Sequence, residues 1–254
     1  MPSSEERFAS GDIELAGTLA RPPRPGRAPG LVLCHGFPAG STGAALAGQS
    51  YIELADRIAE RMGWMVLAFN YRGCGESEGQ FSLAGWQADV VAAIAHLRSV
   101  DDVDGVWVVG FGTGGALAIA AAGTDAEVRG AASVGTPADF SDWAANPRRL
   151  LLYARSLGAI RGDDFPADFD EWSAELKAVS AVRSAAKVAP RPLLIIHGTE
   201  DELVPSLDAR AIAEAHGSAE LSMVHSGGHR LRFDPRAIAV VLGWLDRQSH
   251  GLAN

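Results

Sequence analysis

From residue 31 to residue 248 the chain alternates short apolar runs with longer helical patterns, and this rhythm limits its possible folds more than any other feature. The runs are Leu31–Cys34, Met65–Phe69, Val106–Val109, Gly130–Val134, Leu193–His197 and Leu221–Val224. Helical patterns near Ser50–Met62, Leu83–Leu97, Gly114–Ala122 and Pro235–Gln248 follow or separate them. Apolar runs too short for helices, interleaved with helices, describe buried parallel strands joined by crossover helices. The expected fold class is α/β, one doubly wound and mostly parallel sheet. At 254 residues, a single domain spanning 1–254 is long enough to bury its own core. Ahead of this rhythm, residues 5–20 hold two strand-like runs around Ser10-Gly11-Asp12, which is turn chemistry for a hairpin. Residues 21–30 read as a solvated Pro/Gly/Arg loop.

Residues 138–188 break the pattern. They carry helical stretches at Pro147–Leu157 and Phe169–Val179 and no strand. An insertion between two strands tends to lie over the strands' carboxyl ends, where open α/β sheets bind ligands. A short helical cap is therefore expected over 138–188; the plainer alternative is a pair of packing helices with no lid role.

Composition removes several classes of function. With 47% hydrophobic and 21% charged residues, the chain is neither disordered nor a coiled coil. Its 22 basic against 31 acidic residues give a net charge of −9, the wrong sign for releasing counterions from nucleic acid. Two cysteines make no disulfide framework, and the opening MPSSEERFASGD has no signal-peptide pattern, so the expected compartment is cytoplasmic. No apolar run approaches the roughly 20 residues of a membrane span. No metal-ligand spacing or cofactor motif is evident; Gly110-x-Gly112-x-Gly114-Gly115 does not match the dinucleotide fingerprint. The acidic stretch Asp101-Asp102-Val103-Asp104 reads as a solvated loop. The expected partner is a small molecule, carbonyl-bearing or apolar. A homodimer is left open, with the last helix and residues 249–254 as candidate contact surfaces.

The chemistry concentrates in Val108-Val109-Gly110-Phe111-Gly112-Thr113-Gly114-Gly115-Ala116, between an expected strand and an expected helix. Glycines at 110 and 114 permit a very sharp strand-to-helix turn, the geometry of the nucleophile elbow G-x-S-x-G. Four further segments stand at expected strand ends. They are His35-Gly36-Phe37-Pro38, the run Asn70-Tyr71-Arg72-Gly73-Cys74-Gly75-Glu76-Ser77-Glu78-Gly79, the run His197-Gly198-Thr199-Glu200-Asp201-Glu202-Leu203-Val204-Pro205, and Gly227-Gly228-His229. Together, in this order, they resemble the α/β-hydrolase family, in its esterase and serine-aminopeptidase-like branches. The resemblance implies an α/β-hydrolase fold. It also implies an oxyanion loop at His35–Pro38 that uses the Phe37 and Thr113 amides, an acid at Asp201 and a histidine at His229.

The departure is at the centre. Where the family has its nucleophile, this chain has Gly112. Glycine has no oxygen or sulfur to acylate, so the Ser-His-Asp route is closed to it. Thr113 has a hydroxyl, but the family uses this residue's amide and points its side chain elsewhere. Cys34 and Cys74 read as inert buried thiols, and Ser77 and Ser226 as turn residues. Asp201 has a second reading as a local cap, and His229 as a satisfied buried histidine. Arg72 reads as structural, Arg230 and Arg232 as solvated charges, and the methionines and tryptophans as packing. Two functions remain. One is hydrolase-type chemistry on a small ester, lactone or other carbonyl compound, with His229 and Asp201 acting as a general base on water. The other is a pseudoenzyme that binds a small apolar ligand or a partner protein. Gly112 itself is natural or an engineered replacement of serine.

Overall fold

The computed structural model describes residues 3–250. Its strands are β1 (Ser4–Ser10), β2 (Ile13–Ala20), β3 (Ala28–Cys34), β4 (Met65–Phe69), β5 (Val103–Phe111), β6 (Val128–Val134), β7 (Leu193–Gly198) and β8 (Glu220–Val224). They form one sheet in the order β1-β2-β4-β3-β5-β6-β7-β8. Strand β2 runs antiparallel to both β1 and β4, and every later pairing is parallel. The first two strands make the expected hairpin, closed by Gly11 and Asp12 with Gly11 at φ 63°.

The helices are α1 (Gln49–Met62), α2 (Leu83–Ser99), α3 (Thr113–Thr124), α4 (Ser141–Ala145), α5 (Pro147–Ser156), α6 (Phe169–Glu175), α7 (Ala181–Val188), α8 (Ser206–His216) and α9 (Pro235–His250). Side chains alternate across the strands, so β3 sends Val32 and Cys34 into one core and Leu31 and Leu33 into the other. The first core lies against α2, α3, α7 and α8; the second lies against α1 and α9. Both faces of the central strands are thus covered, which is why β4 and β7 are buried along their whole length. Ser82 caps α2 by accepting the Gly85 amide, and Gly63 ends α1 in the left-handed region.

Three expectations need correction. Strand β3 begins at Ala28, so the loop after the hairpin is shorter than 21–30. The cap is shorter than 138–188, because α7 is not part of it. Helix α7 packs against α3 and α8, and a Cβ on Gly123 of α3 would lie 2.9 Å from the Ser184 carbonyl oxygen. It is an ordinary crossover helix leading into β7. Helices α4, α5 and α6 make up the rest of the expected insertion. Finally, Arg232 is not a solvated charge; it is half-buried, with its guanidinium over the Tyr51 ring and bonded to the Ser50 carbonyl. No helix among the described residues is long and apolar enough to cross a membrane. Residues 251–254, part of the suggested contact surface, lie outside the described residues.

Candidate active site

The sharp turn expected at Gly112 joins β5 to α3. Gly112 has φ 53° and ψ −123°, outside the ordinary regions for a residue with a side chain. Its amide donates to the Val134 carbonyl (2.8 Å), and its own carbonyl accepts from the Gly115 amide (3.0 Å). The turn depends on its neighbouring glycines. A Cβ on Gly110 would lie 2.2 Å from the Gly114 carbonyl oxygen, and one on Gly114 would lie 2.3 Å from the His35 carbonyl oxygen. Gly112 itself is different. A Cβ there would point into open space, meeting only the Gly36 Cα at 3.8 Å and His229 Nε2 at 3.9 Å.

His229 reaches this point from the loop after β8. Its Nδ1 lies 2.9 Å from Asp201 Oδ2, and the Asp201 side chain is fully buried while that of His229 is 31% exposed. Asp201 is held from the other side as well, for Oδ1 accepts the Leu203 (3.0 Å) and Val204 (2.9 Å) amides. Burial pushes this carboxyl up, but the hydrogen bonds from His229 and from the Val204 and Leu203 amides outweigh it and hold the group below the usual carboxylate range. Asp201 therefore both caps its loop and orients His229, so the two readings of this residue describe one arrangement. With its Nδ1–H given to a carboxylate, His229 turns Nε2 towards the bend.

The two loops carrying this pair are stitched together. Thr199 donates to the Val224 carbonyl, Glu200 to the Gly227 carbonyl, and Ser226 to the Thr199 hydroxyl. Gly198 and Gly227 approach so closely that a Cβ on Gly198 would sit 2.1 Å from the Gly227 oxygen.

A group missing from the expected set is His197. It is fully buried, with Nε2 3.0 Å from the Val204 carbonyl and 3.5 Å from Asp201 Oδ2. The shared acceptor Oδ2 thus faces two imidazoles. The signal for it was present as the spacing of four between His197 and Asp201, but spacing alone does not show that both side chains turn the same way.

His35 and Phe37 play different parts. His35 is wholly buried and holds the loop instead of facing a ligand. Its Nδ1–H donates to the Gly36 carbonyl (2.7 Å) and Nε2 accepts from the Tyr71 amide (3.4 Å). This is the pattern of a neutral ring, and burial pushes its pKa down to about 4 against the opposing effect of the Gly36 hydrogen bond. The Phe37 ring faces outward and packs against Phe81 and Trp86 below and against Trp143 of α4 and Tyr153 of α5 above. Helices α4 and α5 are thereby packed on the loop next to the bend. Thr113 is the first residue of α3, so its amide has no partner within the helix, and the positive end of a twelve-residue helix faces the same point.

The remaining candidates are structural. Both thiols are buried, and burial raises Cys34 and Cys74 to about 12. The Ser77 hydroxyl is held between the Asn70 carbonyl and the Ala16 amide. Ser226 is a turn residue at φ 52°. Arg72 binds the buried Asp89 through Nε and Nη2, and Arg230 is exposed.

A family model described as the alpha/beta hydrolase family matches residues 31–241. The uncharacterized protein YfhR of Salmonella typhimurium is 32% identical over 175 residues, 66% of this chain and 56% of that protein. The chain spans about half the length of the curated relatives it matches. Among solved structures, the alpha/beta hydrolase GrgF from Penicillium sp. sh18 superposes with a TM-score of 0.72 at 18% identity, over 97% of each chain. The Pyrococcus furiosus esterase Pf2001 superposes with a TM-score of 0.71 at 19% identity, over 96% of this chain and 91% of that one. At such identities the likeness is one of fold.

Proposed function

The chain belongs to the alpha/beta hydrolase family, and from that premise we propose that it hydrolyses a small activated ester, lactone or similar carbonyl compound without a covalent intermediate. His229 Nε2 takes a proton from a water seated above Gly112 while Asp201 stabilises the imidazolium. The water's oxygen attacks the carbonyl, and the resulting oxyanion is met by the Phe37 and Thr113 amides and the positive end of α3. The proton then passes from His229 to the leaving oxygen. The observation that carries this reading is the aim of His229. Its Nε2 stands 3.9 Å from the Cβ position of residue 112, with Nδ1 bound to a buried carboxylate. The exposed Leu203, Leu207 and Phe233, all on segments that follow the carboxyl ends of β7 and β8, suit a substrate with an apolar part.

The absence of a nucleophile favours a second reading, a non-catalytic carbonyl-binding module. In serine proteases, binding and the oxyanion hole alone leave roughly 10³–10⁴-fold catalysis over water, so slow turnover is the expected scale. Hydrolysis of short p-nitrophenyl esters separates the two. Slow turnover that disappears in His229→Ala supports the water mechanism. Turnover that is absent supports the binding module, and turnover indifferent to His229→Ala refutes the water mechanism. Labelling of the bend by a fluorophosphonate would refute both.

A further inference from the structure

A cleft of about 570 Å³ opens between the loop after β3, the loop after β4 and the end of α5. Its polar lining consists of Ser41, Thr42, Ser156 and Arg161, with the bare backbones of Gly43 and Gly75. In a chain of net charge −9, no lining residue is acidic, and Arg161 is the only charged one. Among the described residues Arg161 enters no ion pair. It is nonetheless fixed in place: Nε donates to the Gly158 carbonyl (3.1 Å), and Nη2 to those of Gly73 (3.2 Å) and Gly75 (3.4 Å). Among the described residues Nη1 has no acceptor. The Ser41 and Thr42 hydroxyls, both on exposed residues, likewise have no hydrogen-bond partner among the described residues.

The walls of this cleft are bonded to one another. The Ala44 amide donates to the Leu157 carbonyl (2.8 Å), and the Gly75 amide to the Ala44 carbonyl (2.9 Å). The Phe81 amide donates to the Ala159 carbonyl (2.9 Å). A Cβ on Gly43 would lie 2.6 Å from the Leu157 oxygen, and one on Gly73 2.3 Å from the Ala159 oxygen, so these segments meet at backbone distance. A prebuilt cleft holding one immobilised, unneutralised guanidinium among hydroxyls is organised for an anion, because the cost of ordering the donors is already met by the fold.

We propose that this cleft binds the anionic group, carboxylate or phosphate, of a small organic molecule, through Arg161 Nη1 and the Ser41 and Thr42 hydroxyls. The inference stands without any catalytic activity. Where it joins the reading above, it deepens it. Gly36 adjoins the bend, and Gly40 at the cleft's edge is only four positions further along the chain, a reach of at most about 14 Å. The substrate would then be an ester or lactone with an anionic arm.

Calorimetric titration tests the binding directly on the full chain. The probes are glutarate, its dimethyl ester, glycerol 3-phosphate and inorganic phosphate. Glutarate or glycerol 3-phosphate is expected to bind while the neutral diester does not, and whichever binds more tightly identifies the anion. Arg161→Gln is expected to weaken that binding roughly tenfold or more, the scale of losing one charge-assisted hydrogen bond. Because Arg161 also holds its loop, Ser41→Asp provides a second route: at an exposed position it adds a repelling charge and should weaken binding to a similar extent with the fold intact. Equal affinity for diester and diacid, unchanged affinity in both variants, or no binding of any anion up to about 10 mM overturns the proposal. Ester hydrolysis by the unmodified protein is measured in parallel. Anion binding without turnover would sink the catalytic reading and leave this one standing.

Discussion

Gly112 and the glycines around it look alike in sequence and differ in what the fold asks of them. Gly110 and Gly114 are walled in by carbonyl oxygens 2.2 and 2.3 Å from where a Cβ would be, whereas the corresponding position on Gly112 meets nothing nearer than 3.8 Å. The shoulders of the bend are glycine because the chain could not turn otherwise. The tip is glycine for a reason packing does not supply, apart from its positive φ. The bend therefore belongs to the architecture, and what it presents to a ligand is a separate matter of chemistry.

This contrast can be tested by substitution. Gly114→Ala drives a methyl into the His35 and Cys34 carbonyls and should cost about 4 kcal/mol or more, read from urea denaturation. A loss below about 1 kcal/mol would mean that the bend relaxes and the shoulders are not required. Gly112→Ser places a hydroxyl before His229 Nε2 and should raise ester turnover roughly 10²–10³-fold, with a fluorophosphonate-reactive bend. No gain would show that the acid and histidine are not competent. Acidification probes the support beneath the shoulder, the His35 ring. Its folded pKa is about 4 against an ordinary 6.5, so the unfolded chain binds the proton first. Stability from this group is complete above pH 6.5 and is lost as pH falls towards 4, a loss of about 3 kcal/mol. Denaturation curves across that window should show the loss in the unmodified protein and not in His35→Gln. The smallest effect is expected for Gly112→Ala. It bears only the cost of its backbone angles, about 1–3 kcal/mol, and a melt no lower than this sets it apart from Gly114→Ala.

Much of the sheet was legible because burial on both faces leaves a mark in sequence. Met65–Phe69 is apolar throughout and matches β4 residue for residue. What escaped is equally physical. Helix α8 shows only Ala209, Ile212 and His216 to the core and begins after Pro205 without a side-chain cap, so neither periodicity nor a start signal stands out. Helix α7 lies inside 138–188, a segment with no strand pattern to mark where the sheet's own helices resume, and only its packing against Gly123 reveals the layer it joins. At the site, motif order placed Gly112, Asp201 and His229 at one point, and the structure brings those three together. His35 was expected among the oxyanion and binding residues, and its ring is wholly buried and bonded to the Gly36 and Tyr71 backbone. A histidine after a strand reads the same whichever way its ring turns. Arg161 carried no motif, since its significance is in the neighbours it lacks.

The stitched loops at Gly198 and Gly227 have a further consequence. The acid and the histidine take their setting from each other's backbone and from the far half of the sheet, with no contribution from the tip of the bend. The centre is thus assembled from two separately mounted components. A substitution at the tip therefore leaves the hydrogen bonds that align the acid and the histidine in place.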